Sequence, residues 1–129
     1  MIVVDASAVV DALAAPRANA GLVARLTDEE LTAPSLLDFE VVSALRRLTL
    51  SRELTAGRGE DLLTDFDSLP IERFASGDGL RRRVFQLRHA LSTYDGAYVA
   101  LAEAIGCPLV TRDARLGRSG GHAAAIDVY

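Results

Sequence analysis

The chain is expected to be an α/β protein, a mostly parallel sheet covered by helices on both faces. Three observations predict this. Short apolar runs rich in β-branched residues, "MIVVD" and "PLVT" among them, are separated by longer stretches whose apolar residues recur at helical spacing. Strands and helices alternate along the whole chain, the pattern of a parallel sheet with helical layers. Half of the 129 residues are hydrophobic and a quarter are charged, the balance of an ordinary globular protein. The length suits one domain, 1–129.

The elements follow in order. "MIVVD" reads as a buried strand, and "ASAVVDALAA" as a helix ending before Pro16. Residues 18–26 carry Leu22, Val23 and Leu26 at helical spacing, and "LTA" reads as a second strand. Pro34 and Ser35 open a helix in which Leu37, Val41, Ala44, Leu45 and Leu48 recur every 3.6 residues. A helix over 60–69 leads to the strand-like "IERF". A further helix runs from Leu80 to His89, before the run "STYDGAYVALAEAIGCPLVTRD", which holds a helix and then a strand. "AIDVY" at 125–129 reads as an edge strand. No repeat, linker or low-complexity segment interrupts the pattern.

Several function classes are excluded at this level. No apolar run reaches the roughly 18–20 residues of a membrane span. "MIVVDASAVV" lacks a basic leader and is broken by Asp5, so it is not a signal peptide. The single cysteine, Cys107, excludes an internal disulfide and fits a reducing cytoplasm, the expected location. Within "GCPL" it reads as a small buried hydrophobe. His89 and His122 are too far apart to suggest a zinc site and read as surface residues.

In parallel sheets, sites lie beyond the carboxyl ends of the strands, near the point where strand order reverses. Asp5 ends the first strand, and Asp113 follows the strand that closes at Thr111. Asp95 stands in the first turn of the helix feeding that strand, and Glu40 in the helix after Pro34. Singly, each has a plain explanation: Asp5 a helix cap, Asp95 a capping box with Ser92, Asp113 a turn, Glu40 a solvated face. Together they are four carboxylates sent to one edge of the sheet. Like charges so placed raise one another's pKa, and the sequence has no lysine to offset them. Divalent cations are the obvious remedy, since all-oxygen sites select Mg²⁺ or Mn²⁺. Two such ions can flank a phosphodiester, so hydrolysis of that bond is the chemistry this arrangement suits.

Three segments, "MIVVDASAVVDAL", "PSLLDFEVVSALRR" and "STYDGAYVALAEAIGCPLVTRDARL", carry a family pattern in order over essentially the full length. The chain resembles the PIN-domain family, and within it the VapC-type toxins of bacterial toxin–antitoxin pairs. The resemblance implies a three-layer α/β/α sandwich and a ribonuclease whose Mg²⁺ or Mn²⁺ is held by Asp5, Glu40, Asp95 and Asp113. Ser7 and Thr111 match hydroxyl positions that support the acids. It also implies an RNA substrate, an inhibiting VapB-type antitoxin and a homodimer within the complex. Leu22, Val23, Val41 and Leu45 are the expected surface for an apolar partner helix.

All fourteen basic residues are arginine, the side chain that binds phosphate bidentately. A charge run alone is usually a solvated face. Arg46, Arg47, Arg81, Arg82, Arg83 and Arg112 are carried as candidate RNA contacts. Receiver domains and haloacid-dehalogenase phosphatases share the layout but need a lysine, and "GRGEDL" and "GDGLRR" lack the dinucleotide-binding glycine pattern. The remaining alternative is a PIN fold used as a protein-interaction module with a silent site.

Overall fold

The computed structural model describes residues 1–129. Its centre is β1 (Ile2–Val4), three β-branched residues with no solvent exposure. The chain continues through α1 (Ala6–Ala14), α2 (Ala20–Asp28), β2 (Leu31–Pro34), α3 (Leu37–Leu50) and α4 (Ala56–Asp67). Then come β3 (Ile71–Phe74), α5 (Asp78–Gln86), α6 (Thr93–Ile105), β4 (Leu109–Thr111), the single-turn α7 (Ala114–Gly117) and β5 (Ile126–Val128). All strand pairings are parallel, in the order β3-β2-β1-β4-β5, with β5 at an edge as expected.

Strand order reverses between β1 and β4. The chain steps outward from β1 to β2 and β3, then crosses back to β4 and β5. Right-handed crossovers put connections of opposite direction on opposite faces. Accordingly α1, α2, α3 and α4 pack among themselves, while α6 lies on β1, β2 and β4 with α5 outside it. The result is the expected α/β/α layering. Seven consecutive residues of α6, Gly96 to Ala102, are buried, and each Val or Leu so buried contributes about 1.5–3 kcal/mol. Gly96 permits the close approach of α5: a Cβ there would meet the Val84 side chain at 3.3 Å.

The boundaries depart from expectation at identifiable places. Pro34 ends β2 rather than opening a helix: it pairs with Phe74, and the strand's last position asks no donor of it. Helix α3 therefore starts at Leu37. Helix α4 starts at Ala56, capped by Thr55, whose hydroxyl accepts the Arg58 amide at 3.1 Å. Gly57 and Gly59 lower the helix propensity of that first turn and masked it.

Burial corrects three further readings. Leu22, Val41 and Leu45 are only 2%, 0% and 4% exposed. They are core residues and cannot form a partner surface; Val23 alone is half-buried. Cys107 is also half-buried rather than buried. His122 is half-buried, with its Nε2 2.9 Å from the Ser119 hydroxyl. No helix is long and apolar enough to cross a membrane.

Helix α6 ends at Gly106, which adopts the left-handed conformation with φ +69° while its N–H caps the Ala102 carbonyl. Replacing Gly106 with alanine should lower stability by about 1–2 kcal/mol, the cost of a Cβ in that region. Asparagine, which tolerates the conformation, should cost less. Chemical denaturation of the two variants beside the parent chain checks the order.

Candidate active site

Asp5 is 6% exposed and stands where β1 becomes α1. As the helix N-cap, its Oδ1 accepts the Ala8 amide at 2.9 Å and the Ser7 hydroxyl at 2.7 Å. Its Oδ2 accepts the Thr111 hydroxyl at 2.5 Å. Thr111 ends β4, so this bond spans the reversal point of the sheet. Thr111 also accepts the Asp113 amide at 2.9 Å, and Ser7 accepts the Arg112 amide at 3.0 Å. Ser7 and Thr111 thus both donate to the Asp5 carboxylate. A carboxylate has about four acceptor positions. Three are taken by protein donors, which leaves Oδ2 one free direction.

Glu40 projects from the first turn of α3, and its Oε2 accepts the Tyr98 hydroxyl at 2.6 Å. Tyr98 lies three residues after Asp95, on the same face of α6. Asp95 itself is held by the helix start: the Ser92 hydroxyl accepts its amide at 3.2 Å. The reciprocal half of the expected capping box does not form, and no protein donor reaches the Asp95 carboxylate. Asp113 caps α7, accepting the Arg115 amide at 2.8 Å. The Arg115 guanidinium closes on both Asp113 oxygens, at 2.5 to 3.1 Å.

These four carboxylates, with Ser7, Ser43, Arg47 and Tyr98, line one cleft of about 290 Å³. Their electrostatics differ. Burial pushes the pKa of Asp5 up, against the opposing hydrogen bonds from Ser7, Thr111 and Ala8, and the Asp95 charge adds to the rise. Burial also raises Glu40, opposed by the Tyr98 hydroxyl and assisted by Asp95 and Asp5. Tyr98 is raised by burial and by the Glu40 carboxylate it donates to, so it stays a donor. Asp113 moves down instead, because Arg115 donates to it. One carboxylate of the cleft therefore has a direct cationic partner, Arg115 on Asp113, which the sequence did not announce.

No three acidic, histidine or cysteine side chains converge into a ready-made metal cage. That suits Mg²⁺, which keeps several waters and is usually bound through one or two carboxylates. The free direction on Asp5 and the unpartnered Asp95 carboxylate are the donors best fitted to it. The donor set is all oxygen, as that ion requires.

The candidate arginines divide. Arg47 lines the acid cleft, and Arg46, its neighbour on α3, is exposed. Arg112 pairs with Asp11 at 3.0 Å. Arg83 pairs with Glu103 at 3.1 Å and donates to the Gly121 carbonyl. Arg81 and Arg82 lie on α5, outside the acid cleft. Tyr98 and Arg115 were missed by sequence reasoning. Tyr98 was findable from its helical spacing to Asp95, whereas Arg115 follows no periodic signal.

A family model described as PIN domain matches residues 2–121. A Mycobacterium tuberculosis protein named Ribonuclease VapC12 is 40% identical over 128 residues, covering 99% of this chain and 98% of its own. Ribonuclease VapC1 of the same organism is 43% identical over 120 residues, covering 92% and 90%. Among solved structures, PAE2754 from Pyrobaculum aerophilum superposes with a TM-score of 0.73 at 25% identity, covering 98% and 83%. VapBC2 from Rickettsia felis, bound to a promoter DNA fragment, has a TM-score of 0.69 over 99% and 98%, and at 15% identity it shows shared fold alone.

The raised carboxyls make a signed prediction about stability without metal. Between the ordinary carboxylate range and the raised values of Asp5 and Glu40, the folded state binds more protons than the unfolded state. Stability there falls as pH rises. With a chelator present, Asp5→Asn should melt above the parent at neutral pH. That gap should narrow as pH falls through the raised Asp5 value. Calorimetry across pH tests this, and a gap independent of pH would exclude a cost from the buried charge.

Proposed function

The chain belongs to the PIN-domain family, and on that premise we propose that it is a toxin endoribonuclease, hydrolysing RNA phosphodiester bonds and restrained by a cognate antitoxin. One observation carries this reading: Asp5, Glu40, Asp95 and Asp113, from four separate segments, line one cleft where the strand order reverses. The ribonuclease names of relatives at 40% and 43% identity support the same activity.

Asp5 and Asp95 would hold Mg²⁺ or Mn²⁺ directly, with Glu40 and Asp113 completing the site. When bound, such an ion supplies a polarised phosphate oxygen and a water acidic enough to attack at neutral pH. The chain's own groups do the positioning. Ser7, Thr111 and the Ala8 amide fix the Asp5 carboxylate, so its free oxygen direction is set by the backbone. Tyr98 orients Glu40 and remains protonated while doing so. Arg115 offsets Asp113, and Arg47 offers a cation at the cleft for an approaching phosphate.

The antitoxin reading needs an apolar surface other than the buried residues first expected. Leu13, Val23, Leu26 and Leu69, all half-buried, line a groove of about 350 Å³ between α1, α2 and the start of β3. An amphipathic partner helix fits such a groove. A homodimer within the toxin–antitoxin complex is part of this reading, as is a cytoplasmic location.

Purified protein should cut RNA in Mg²⁺ or Mn²⁺ and stop in EDTA; undiminished cleavage in EDTA would remove the metal. Asp5→Asn and Asp95→Asn should each abolish cleavage, while Asp61→Asn, exposed on α4, should cut normally. Separately, Val23→Asp should reduce recovery of a co-expressed antitoxin through a tag on this chain. Undiminished recovery would put the partner elsewhere.

A further inference from the structure

The four carboxylates of the cleft are not equally free to take a cation. Asp113 is the one already covered. Its Oδ1 accepts the Arg115 amide at 2.8 Å and the Arg115 Nε at 3.1 Å. Its Oδ2 accepts the same Nε at 3.1 Å and Nη2 at 2.5 Å. A carboxylate has about four acceptor positions, so this pair leaves Asp113 no direction for a metal ion. Asp113 nevertheless lines the cleft beside Asp95. It can complete the site only when the guanidinium leaves.

Two features say that it can. The first is how little else holds it. The Arg115 side chain is 77% exposed, against 24% for Asp113, and its guanidinium donates to no other group. Arg83, by contrast, is held by both Glu103 and the Gly121 carbonyl. Ion pairs so open to solvent are weak. Nor does the cap of α7 depend on the guanidinium, because Asp113 accepts the backbone amide of Arg115 whatever its side chain. The second feature is position. The Asp95 charge acts on Arg115 as the Asp113 charge does, so the guanidinium lies within the field of the cleft. A phosphate offers it the same forked pair of oxygens as a carboxylate.

We infer that Arg115 is an exchangeable counter-ion: it holds Asp113 in the chain without substrate and passes to an RNA phosphate, releasing Asp113 to the divalent cation. The inference rests on the ribonuclease reading and specifies how that site couples its substrate to its metal. Arg115 is then a positioning residue that acts through Asp113. Because linkage is reciprocal, phosphate strengthens metal binding by the factor through which metal strengthens phosphate binding. A purely structural pair, clasping α7 to the end of β4, would produce no such coupling. Arg118 supplies the comparison, since its charge also reaches Asp113 but it donates nothing to that carboxylate.

The test titrates Mn²⁺ by calorimetry into the parent chain, Arg115→Ala and Arg118→Ala. Each is measured with adenosine 5′-monophosphate, with adenosine, and with neither. The monophosphate carries a phosphate but no phosphodiester bond to cut, and its own Mn²⁺ binding is subtracted from a blank. Without nucleotide, Arg115→Ala should bind Mn²⁺ on the order of fivefold more tightly than the parent, the lower end of couplings between sites. Arg118→Ala should stay near the parent. The monophosphate should strengthen Mn²⁺ binding to the parent by a similar margin more than to Arg115→Ala, and adenosine should act on neither. The inference is overturned if Arg115→Ala binds as the parent does, whether or not it melts lower, since the pair is then only a clasp. It is also overturned if Arg118→Ala gains as much, because net charge then accounts for the effect, or if the monophosphate acts equally on both chains. RNA cleavage by the unmodified chain reports the premise separately. Its absence removes the ribonuclease reading and this inference with it, whereas cleavage with Mn²⁺ binding indifferent to Arg115 overturns the inference alone.

Discussion

The hydrogen bond from Thr111 to Asp5 is the constraint around which the rest is arranged. It joins the ends of β1 and β4 at 2.5 Å, across the position where the sheet changes direction. A buried carboxylate is costly unless donors surround it, and here the donors come from β4, from Ser7 and from the first turn of α1. Moving β4 by one residue would turn Thr111 to the other face of the sheet and leave Asp5 short of a partner. The same contact that sets the strand register therefore aims the acid. Stability and site geometry are one requirement at this point.

Much of the site was legible because strand-end position is a property of local sequence. "MIVVD" and "PLVTRD" announce where their strands stop, and the acids follow at once. Asp95 was legible from the Ser92 cap ahead of it. What could not be read was who holds each carboxylate. Tyr98 meets Glu40 across 58 residues of chain, a pairing fixed only when α3 and α6 pack around the sheet. Arg115 was invisible for another reason: its helix is a single turn made by the Asp113 cap itself, too short for any hydrophobic period.

The fold was readable wherever apolar residues recur with one period, and boundaries failed where glycine or proline intervenes. At α4 the glycines hid a first turn that a threonine cap secures. At Pro34 a residue that usually marks a break instead completes a strand, because nothing beyond it needs an amide. Periodicity also could not separate core from surface within a helix packed on two sides. Leu22, Val41 and Leu45 carry the pattern of an amphipathic stripe, yet α1 and its neighbours cover that stripe completely.

The parallel pairing of β1 with β4 joins residues about a hundred positions apart, Val3 with Leu109 and Val4 with Val110. Such pairings form late, because a long loop must close before any contact rewards it. A chain emerging from the ribosome therefore carries Asp5 and Glu40 for most of its synthesis, and Asp95 only toward the end, with no scaffold to gather them. The acids meet only after Thr111 has been made and β4 has slotted beside β1. Activity is thereby tied to completion of the sheet: interrupted synthesis yields inert fragments, and the template being translated is spared by its own product until the fourth strand is in place.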